Sequence, residues 1–111
     1  AFEPGKVPST LLNMLPDSKM EVTPAEKENL VEHYATWKEM GKMFGKNIAS
    51  ISISPESEVY KAIRDNDIYT ISFKKKDDPE TWFMIQCIKQ GESSEGAQKI
   101  VIGEILNVWI R

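Results

Sequence analysis

Residues 23–45 read TPAEKENLVEHYATWKEMGKMFG, and the interpretation of this stretch decides the predicted fold. Its first four residues have the pattern of a capping box at the start of a helix. The Thr23 hydroxyl can accept from the amide at the third helical position, and Glu26 can accept from the Thr23 amide. Pro24 takes the first helical position, where the backbone needs no amide hydrogen. A helix is therefore predicted to begin at Pro24.

Apolar residues in the same stretch recur at helical spacing. Steps of four, three, four and three positions connect Leu30, Tyr34, Trp37, Gly41 and Phe44. Charged residues occupy the other faces, so the pattern is that of an amphipathic helix. Gly45 can adopt the left-handed conformation that often ends a helix. We expect one long helix over about residues 24–44.

Beyond this stretch the apolar period changes from about 3.6 residues to about 2, which indicates strands. The predicted extended segments are 48–53, 59–63, 68–73, 81–90 and 98–111. Both faces of the fourth segment are apolar, which is typical of a central strand. Residues 91–96 are predicted to form a mobile hairpin loop, and Gly103 is predicted to lie at a bulge or bend.

These elements predict an α+β domain, with one long N-terminal helix packed on a curved antiparallel sheet of four to five strands. Residues 23–111 form this single domain. Residues 1–22 are predicted to be an extended leading segment with a short helix at Ser9–Leu15. Because the chain begins at Ala1 rather than Met, we expect that a preceding segment has been removed, and a signal peptide, a lipoprotein leader, an expression tag and a larger upstream segment all remain open. We also expect that the protein is exported to the periplasm or the cell exterior.

The composition excludes several classes of function. With 14 Lys and Arg residues against 17 Asp and Glu residues, the net charge is -3 and the two signs are interspersed, which argues against nucleic acid as a partner. One Cys and one His exclude an intrachain disulfide and a His/Cys zinc cluster within one copy. No apolar run approaches the roughly 20 residues of a membrane-spanning helix. We expect no metal, no cofactor and no integral membrane segment.

The reactive side chains have simpler structural interpretations. His33 is a candidate general base, but neighbours on a helix point about 100° apart, so it forms no dyad with them. Cys87 lies in mid-strand and is predicted to be a buried, inert thiol. The run Lys74–Lys76 can contact an anion or a partner, although the two acids that follow it are typical of a solvated strand end. Catalysis is therefore not expected.

The predicted strands carry more aromatic and thioether surface than one helix can easily cover. The alternative to a core role is an exposed hydrophobic sheet face or pocket. The binding residues that we predict are Trp37, Tyr69, Trp82, Met84 and Trp109. Such a face predicts self-association or a protein partner.

The order and length of the elements resemble those of a known fold. The segments that carry the likeness are Trp37–Gly41, 48–53, 69–73 and the strands that contain Trp82 and Ile100. Over residues 23–111 the chain resembles the cystatin-like group and, more loosely, the cone-shaped nuclear-transport-factor-two-like superfamily. The resemblance implies a sheet wrapped on a helix, often dimeric, in a binding or accessory domain. It does not imply cysteine-protease inhibition, because the Gln-x-Val-x-Gly hairpin and the Pro-Trp loop of cystatins are absent.

Three functions remain open. The first is a non-enzymatic binding or accessory domain that acts through the hydrophobic sheet face. The second is a small inhibitor or immunity-type protein that covers a basic target site with its loops at 64–67, 77–80 and 91–96. The third is a small-ligand-binding protein of the cone fold, in which His33, Tyr34 and Tyr69 point into one pocket.

Overall fold

The computed structural model describes residues 13–111, which form one six-stranded antiparallel sheet and one α-helix. The strands in chain order are β1 (Lys19–Pro24), β2 (Thr36–Met43), β3 (Lys46–Ile53), β4 (Ile68–Lys74), β5 (Thr81–Glu95) and β6 (Gln98–Ile110). The helix α1 spans Glu58–Asn66, and a 3-10 turn spans Leu15–Asp17. Neither helical segment in this part of the chain has the length and hydropathy that crossing a membrane requires.

The strand order brings the two edges of the sheet together. Neighbouring strands follow the order β1-β4-β5-β6-β3-β2, and each pair is antiparallel. The edge strand β1 meets the residues that lead into β2 at one isolated bridge. There Val22 and Glu32 exchange two backbone hydrogen bonds of 3.0 and 2.9 Å. The two edges of the sheet therefore meet at this bridge, and next to it, within residues 13–111, β1 and the residues that lead into β2 are not paired.

Alternate residues of the strands point into the closed sheet and form its core. The inward residues of the neighbouring strands β4 and β5 are Tyr69, Ile71 and Phe73 on β4 and Phe83, Ile85 and Cys87 on β5. β5 pairs with β4 on one side and with β6 on the other, as its two apolar faces predict. The regular alternation of β4 and β5 therefore places one set of side chains inside the core and leaves the other set facing outward.

The predicted long helix at residues 24–44 is wrong, and with it the predicted α+β class of a helix on a four- to five-stranded sheet. Thr23 and Pro24 end β1, where they lie opposite Thr70 and Tyr69 of β4. The capping-box sequence is present, but pairing with β4 places it in a strand. The fold is mostly sheet, and its α-helix lies elsewhere in the chain.

A bulge in β2 explains why the sequence pattern imitates a helix. Trp37 lies opposite Ile51 of β3, and Met40 lies opposite Ala49. Between these two pairs the register shifts by one residue. Residues three apart on a regular strand point to opposite faces, but the bulge places Trp37 and Met40 on the same side. Both pack against the core, so the spacing of three reflects an irregular strand.

Residues 59–63, which were predicted to be extended, belong to α1. The Ser57 hydroxyl caps this helix by accepting from the amides of Val59 and Tyr60, at 3.2 and 3.5 Å. Asp67 ends the helix with a φ of 66°. The β-branched and aromatic residues of this segment indicated a strand, but their burial follows one face of a helix.

β5 and β6 form a long hairpin, so the predicted loop at 91–96 is wrong. Ladder pairing continues almost to the tip, where Gly96 supplies the positive φ of 59° that the tight turn requires. The register shifts between Lys89 and Gly91, opposite Gly103. A bulge is therefore present in this strand pair, but its extra residue is Gln90 on β5 rather than Gly103, where the bulge was predicted.

The predicted leading segment, residues 1–22, lies only partly within the described residues. Its predicted helix at Ser9–Leu15 falls mostly outside them. β1 crosses the predicted domain boundary after residue 22, and all of its residues pair with β4. This part of the leading segment is therefore part of the sheet.

Candidate functional site

A cleft of about 400 Å³ lies where the sheet is split. Its two sides are β1 with the turn before it and the residues that lead into β2. Next to the Val22–Glu32 bridge, no further ladder pairs join these two segments within residues 13–111, so they diverge and leave the cleft between them. The volume is within the range of about 300–1,000 Å³ that is typical of small-molecule sites.

The interior of the cleft is apolar and includes an indole ring. Leu15 and Met20 are almost completely buried beside it. Ala35 and Trp37 line the opposite side and are half-buried. The Trp37 ring meets Phe73 edge to face, with the ring centroids 5.3 Å apart and the planes at 83°. This contact holds Trp37 in place while part of its surface faces the cleft.

The rim of the cleft is polar and contains a charged cluster from three elements. Glu21 of β1 lies 3.4 Å from His33 Nδ1 and 3.2 Å from Lys74 Nζ. The Glu21 side chain is only 23% exposed, whereas His33 is 59% exposed. The hydroxyl of Thr36 and the amine of Lys19 also line the rim. Sequence analysis singled out His33 but missed Glu21, because the two meet only after β1 has joined the sheet.

A second cavity adjoins the cleft, and we call it the lysine recess. It has a volume of about 330 Å³ and is lined by Asn13, Met14, Asp17, Ser18, Lys75 and Lys76. Ser18 lines both the recess and the cleft. Its hydroxyl accepts from the Trp82 indole N–H at 3.2 Å and donates to the Met14 carbonyl at 3.0 Å. The side chain at the junction of the two cavities is therefore held in one position.

Three of the predicted binding residues come together on another part of the surface. Trp82, Met84 and Trp109 line an open pocket of about 270 Å³. Met84 and Trp109 lie directly opposite each other on β5 and β6. Trp82 is largely buried, whereas Trp109 is 39% exposed. The fourth predicted residue, Trp37, lies in the cleft instead.

The fifth predicted binding residue, Tyr69, is fully buried in the core and presents no surface to a ligand. The three side chains of the predicted cone-fold pocket do not meet, because Tyr34 is 92% exposed and His33 lies on the cleft rim. Cys87 is buried as predicted, and burial raises the pKa of its thiol to about 12. Within residues 13–111, no three His, Cys, Asp or Glu side chains gather in a way that could hold a metal ion.

Comparison with known proteins finds no matching family model and no matching curated protein. Solved structures do match. The flavin reductase PheA2 has a TM-score of 0.64 at 12% identity, over 95% of this chain and 89% of that one. BorF, the flavin reductase component of a bacterial two-component tryptophan halogenase, has a TM-score of 0.63 at 9% identity, over 94% and 88%. An FMN-binding protein from Thermus thermophilus has a TM-score of 0.60 at 10% identity, over 84% and 70%.

These matches correct two predictions. The resemblance to the cystatin-like and nuclear-transport-factor-two-like folds is wrong, because the matching structures are sheets of the split-barrel-like kind. The predicted accessory domain or inhibitor acting through a sheet face or loops is overturned too, because the proteins that share the fold are named as flavin reductases and flavin-binding proteins. At these identities the likeness establishes the fold alone, and that fold is the split-barrel-like sheet.

Proposed function

We propose that the protein binds a flavin in the cleft between β1 and the residues that lead into β2. The observation that carries the proposal is Trp37, a half-buried indole on the wall of a cleft that is lined by both apolar and polar residues. The isoalloxazine ring of a flavin is flat and aromatic, with an apolar end and an end that carries carbonyl and N–H groups. The lining of the cleft fits such a ring. The shared fold supports the same assignment.

The side chains of the cleft have different roles in binding. Trp37 offers aromatic surface for stacking, and Leu15 and Met20 offer apolar contact that excludes water. Thr36 and His33 at the rim can hydrogen-bond to the polar end of the ring. The Glu21 carboxylate, 3.4 Å from His33 Nδ1, orients the imidazole ring. The arrangement therefore binds a ring that is apolar on one side and polar on the other.

A bound flavin supplies hydride or electron transfer, which no side chain of the cleft can perform alone. The task of the chain is to bind, orient and shield the ring. Cys87 takes no part, because it is fully buried in the core and its thiol is protonated at neutral pH.

Titration with riboflavin, followed by flavin fluorescence and by calorimetry, tests the proposal. We expect one flavin per chain. Trp37→Ala is expected to weaken binding about fivefold or more, because stacking of a flat ring on an aromatic side chain contributes about 1–3 kcal/mol. Trp109→Ala is the matched control, since Trp109 lies outside the cleft. It should leave the affinity unchanged.

A second variant separates lost stacking from lost folding, because Trp37 also packs on Phe73. Ala35→Phe keeps Trp37 and places a ring inside the cleft, so it should block binding while the thermal unfolding transition remains cooperative. If the wild-type protein binds no flavin, or if Trp37→Ala and Trp109→Ala weaken binding equally, the proposal is wrong.

A further inference from the structure

Unpaired cationic side chains gather along the cleft and the lysine recess. Within residues 13–111, the Lys and Arg residues that form no ion pair with another described residue are Lys19, Lys27, Lys42, Arg64, Lys75 and Lys76. Lys19 lines the cleft, and Lys75 and Lys76 line the recess. In a chain with a net charge of -3, half of these unpaired cations therefore line one pair of adjoining cavities.

Acidic groups offset this charge only in part. Among residues 13–111, Asp17 is the carboxylate that lines the recess. Glu21, on the cleft rim, is engaged with Lys74 and His33. Asp78 accepts from the Glu80 amide at 2.9 Å and does not line the recess. Two ammonium groups against one carboxylate leave the recess with a positive charge.

We propose that the lysine recess binds the phosphate of a flavin nucleotide whose ring lies in the cleft, so that the protein selects FMN over riboflavin. This inference rests on the proposed flavin binding. FMN differs from riboflavin by a phosphate at the end of the ribityl chain, and such a group carries a charge of about -1.5 to -2 near neutral pH. Paired ammonium groups recognise it through charge-assisted hydrogen bonds.

Ser18 lies where the cleft and the lysine recess meet. Ser18 lines both, so a ligand that extends past Ser18 would reach from the cleft to the recess. The hydrogen bonds to Trp82 and Met14 hold this junction in place. The lysines of the run 74–76 therefore have different contacts. Lys74 forms an ion pair with Glu21, whereas Lys75 and Lys76 line the recess.

Calorimetric titrations with riboflavin and FMN test the inference. The wild-type protein should bind FMN at least about tenfold more tightly than riboflavin at low salt, and the preference should shrink as salt rises. Lys75→Gln/Lys76→Gln should bring FMN affinity down to that of riboflavin and leave riboflavin binding unchanged. Lys27→Gln/Lys42→Gln removes the same charge from residues outside both cavities, so it should keep the preference.

The outcomes separate this inference from the proposed function. If the wild-type protein binds riboflavin and FMN equally well, the role of the recess is wrong and flavin binding in the cleft stands. The role of the recess is also wrong if both double variants lose the preference for FMN equally, because that result indicates a general charge effect. It is wrong as well if Lys75→Gln/Lys76→Gln retains the preference for FMN. A loss of riboflavin affinity in that variant also contradicts the phosphate assignment. If neither flavin binds, both proposals are wrong.

Discussion

Gly103 on β6 lies against the ring of Tyr69 with no room for a side chain. A Cβ at Gly103 would overlap the Tyr69 hydroxyl oxygen and would lie 3.0 Å from the Cβ of Cys87. The Tyr69 ring is fully buried, and its hydroxyl has no hydrogen-bond partner of acceptable geometry among the described residues. Because the ring is enclosed by the core, it cannot move aside, and the position requires glycine.

Gly103→Ala is expected to lower the free energy of unfolding by about 1–3 kcal/mol, the usual cost of overpacking a core. Gly41→Ala is the control, because a Cβ there meets nothing within 4 Å. It should change the stability by less than about 0.5 kcal/mol. Adding Tyr69→Phe to Gly103→Ala removes the overlapping hydroxyl and should recover part of the loss. Urea unfolding measures all of these variants, and equal effects at Gly103 and Gly41 would contradict the argument.

At the scale of elements, one carboxylate connects α1 to the β5–β6 hairpin. Tyr60 of α1 donates a hydrogen bond of 2.6 Å to Glu92 of β5, and Glu92 also forms ion pairs with Lys89 and with Lys99 of β6. The hydrogen bonds from Lys89 and Tyr60 lower the pKa of Glu92 below its ordinary value of 4.5. The ionised form of Glu92 is therefore favoured by folding. Its contribution is present above the ordinary pKa and is lost as the pH falls through the lowered one.

Glu92→Gln keeps the size of the side chain and removes this charge. Near neutral pH it should lower the free energy of unfolding by about 1 kcal/mol, because hydrogen bonds to a charged group are lost. The difference from the wild type should shrink as the pH falls from 4.5 through the lowered pKa, since the wild-type carboxylate becomes protonated over that range as well. Tyr60→Phe removes one of the two hydrogen bonds and should reduce the acid sensitivity in part. Urea unfolding at a series of pH values checks this, and a difference that does not vary with pH counts against it.

The strand β4 could be predicted from its residue pattern, whereas β2 could not. The inward residues of β4 alternate strictly, so a period of two is visible in the sequence. In β2 the bulge places Trp37 and Met40 on one side, which imitates the spacing of a helix. The capping-box residues Thr23 and Glu26 express a genuine local preference, but β1 gains more by pairing with β4. That pairing joins residues far apart in the chain, and a local pattern does not reveal it.

At the scale of the whole molecule, the residues of a site can be predicted from the sequence only where the pairing of their strands can be predicted. Met84 and Trp109 meet as expected because they lie on the two strands of one hairpin. The cleft joins Trp37 and His33 to residues of β1 such as Glu21, and these sides meet only when the sheet closes. Sequence analysis therefore identified two residues of the cleft without identifying the cleft.

Among the described residues, the two hydrogen bonds between Val22 and Glu32 form an isolated bridge where the sheet closes, next to the contact between Glu21 and His33. β5, in contrast, is paired with β6 from Phe83 to Glu95 and with β4 on its other side. We expect the Val22 and Glu32 amides to exchange with solvent through local opening, at a lower free energy than the amides of β5.

Native-state hydrogen exchange measures this difference. Riboflavin should slow exchange at Glu32 in proportion to its occupancy, because a ligand that binds only the closed form stabilises that form. The amides of residues 83–88 of β5 serve as the internal reference, since this part of β5 pairs with both β4 and β6. If Glu32 and β5 are equally protected without ligand, the sheet opens only when the whole molecule unfolds, and the cleft is then as rigid as the core that it borders.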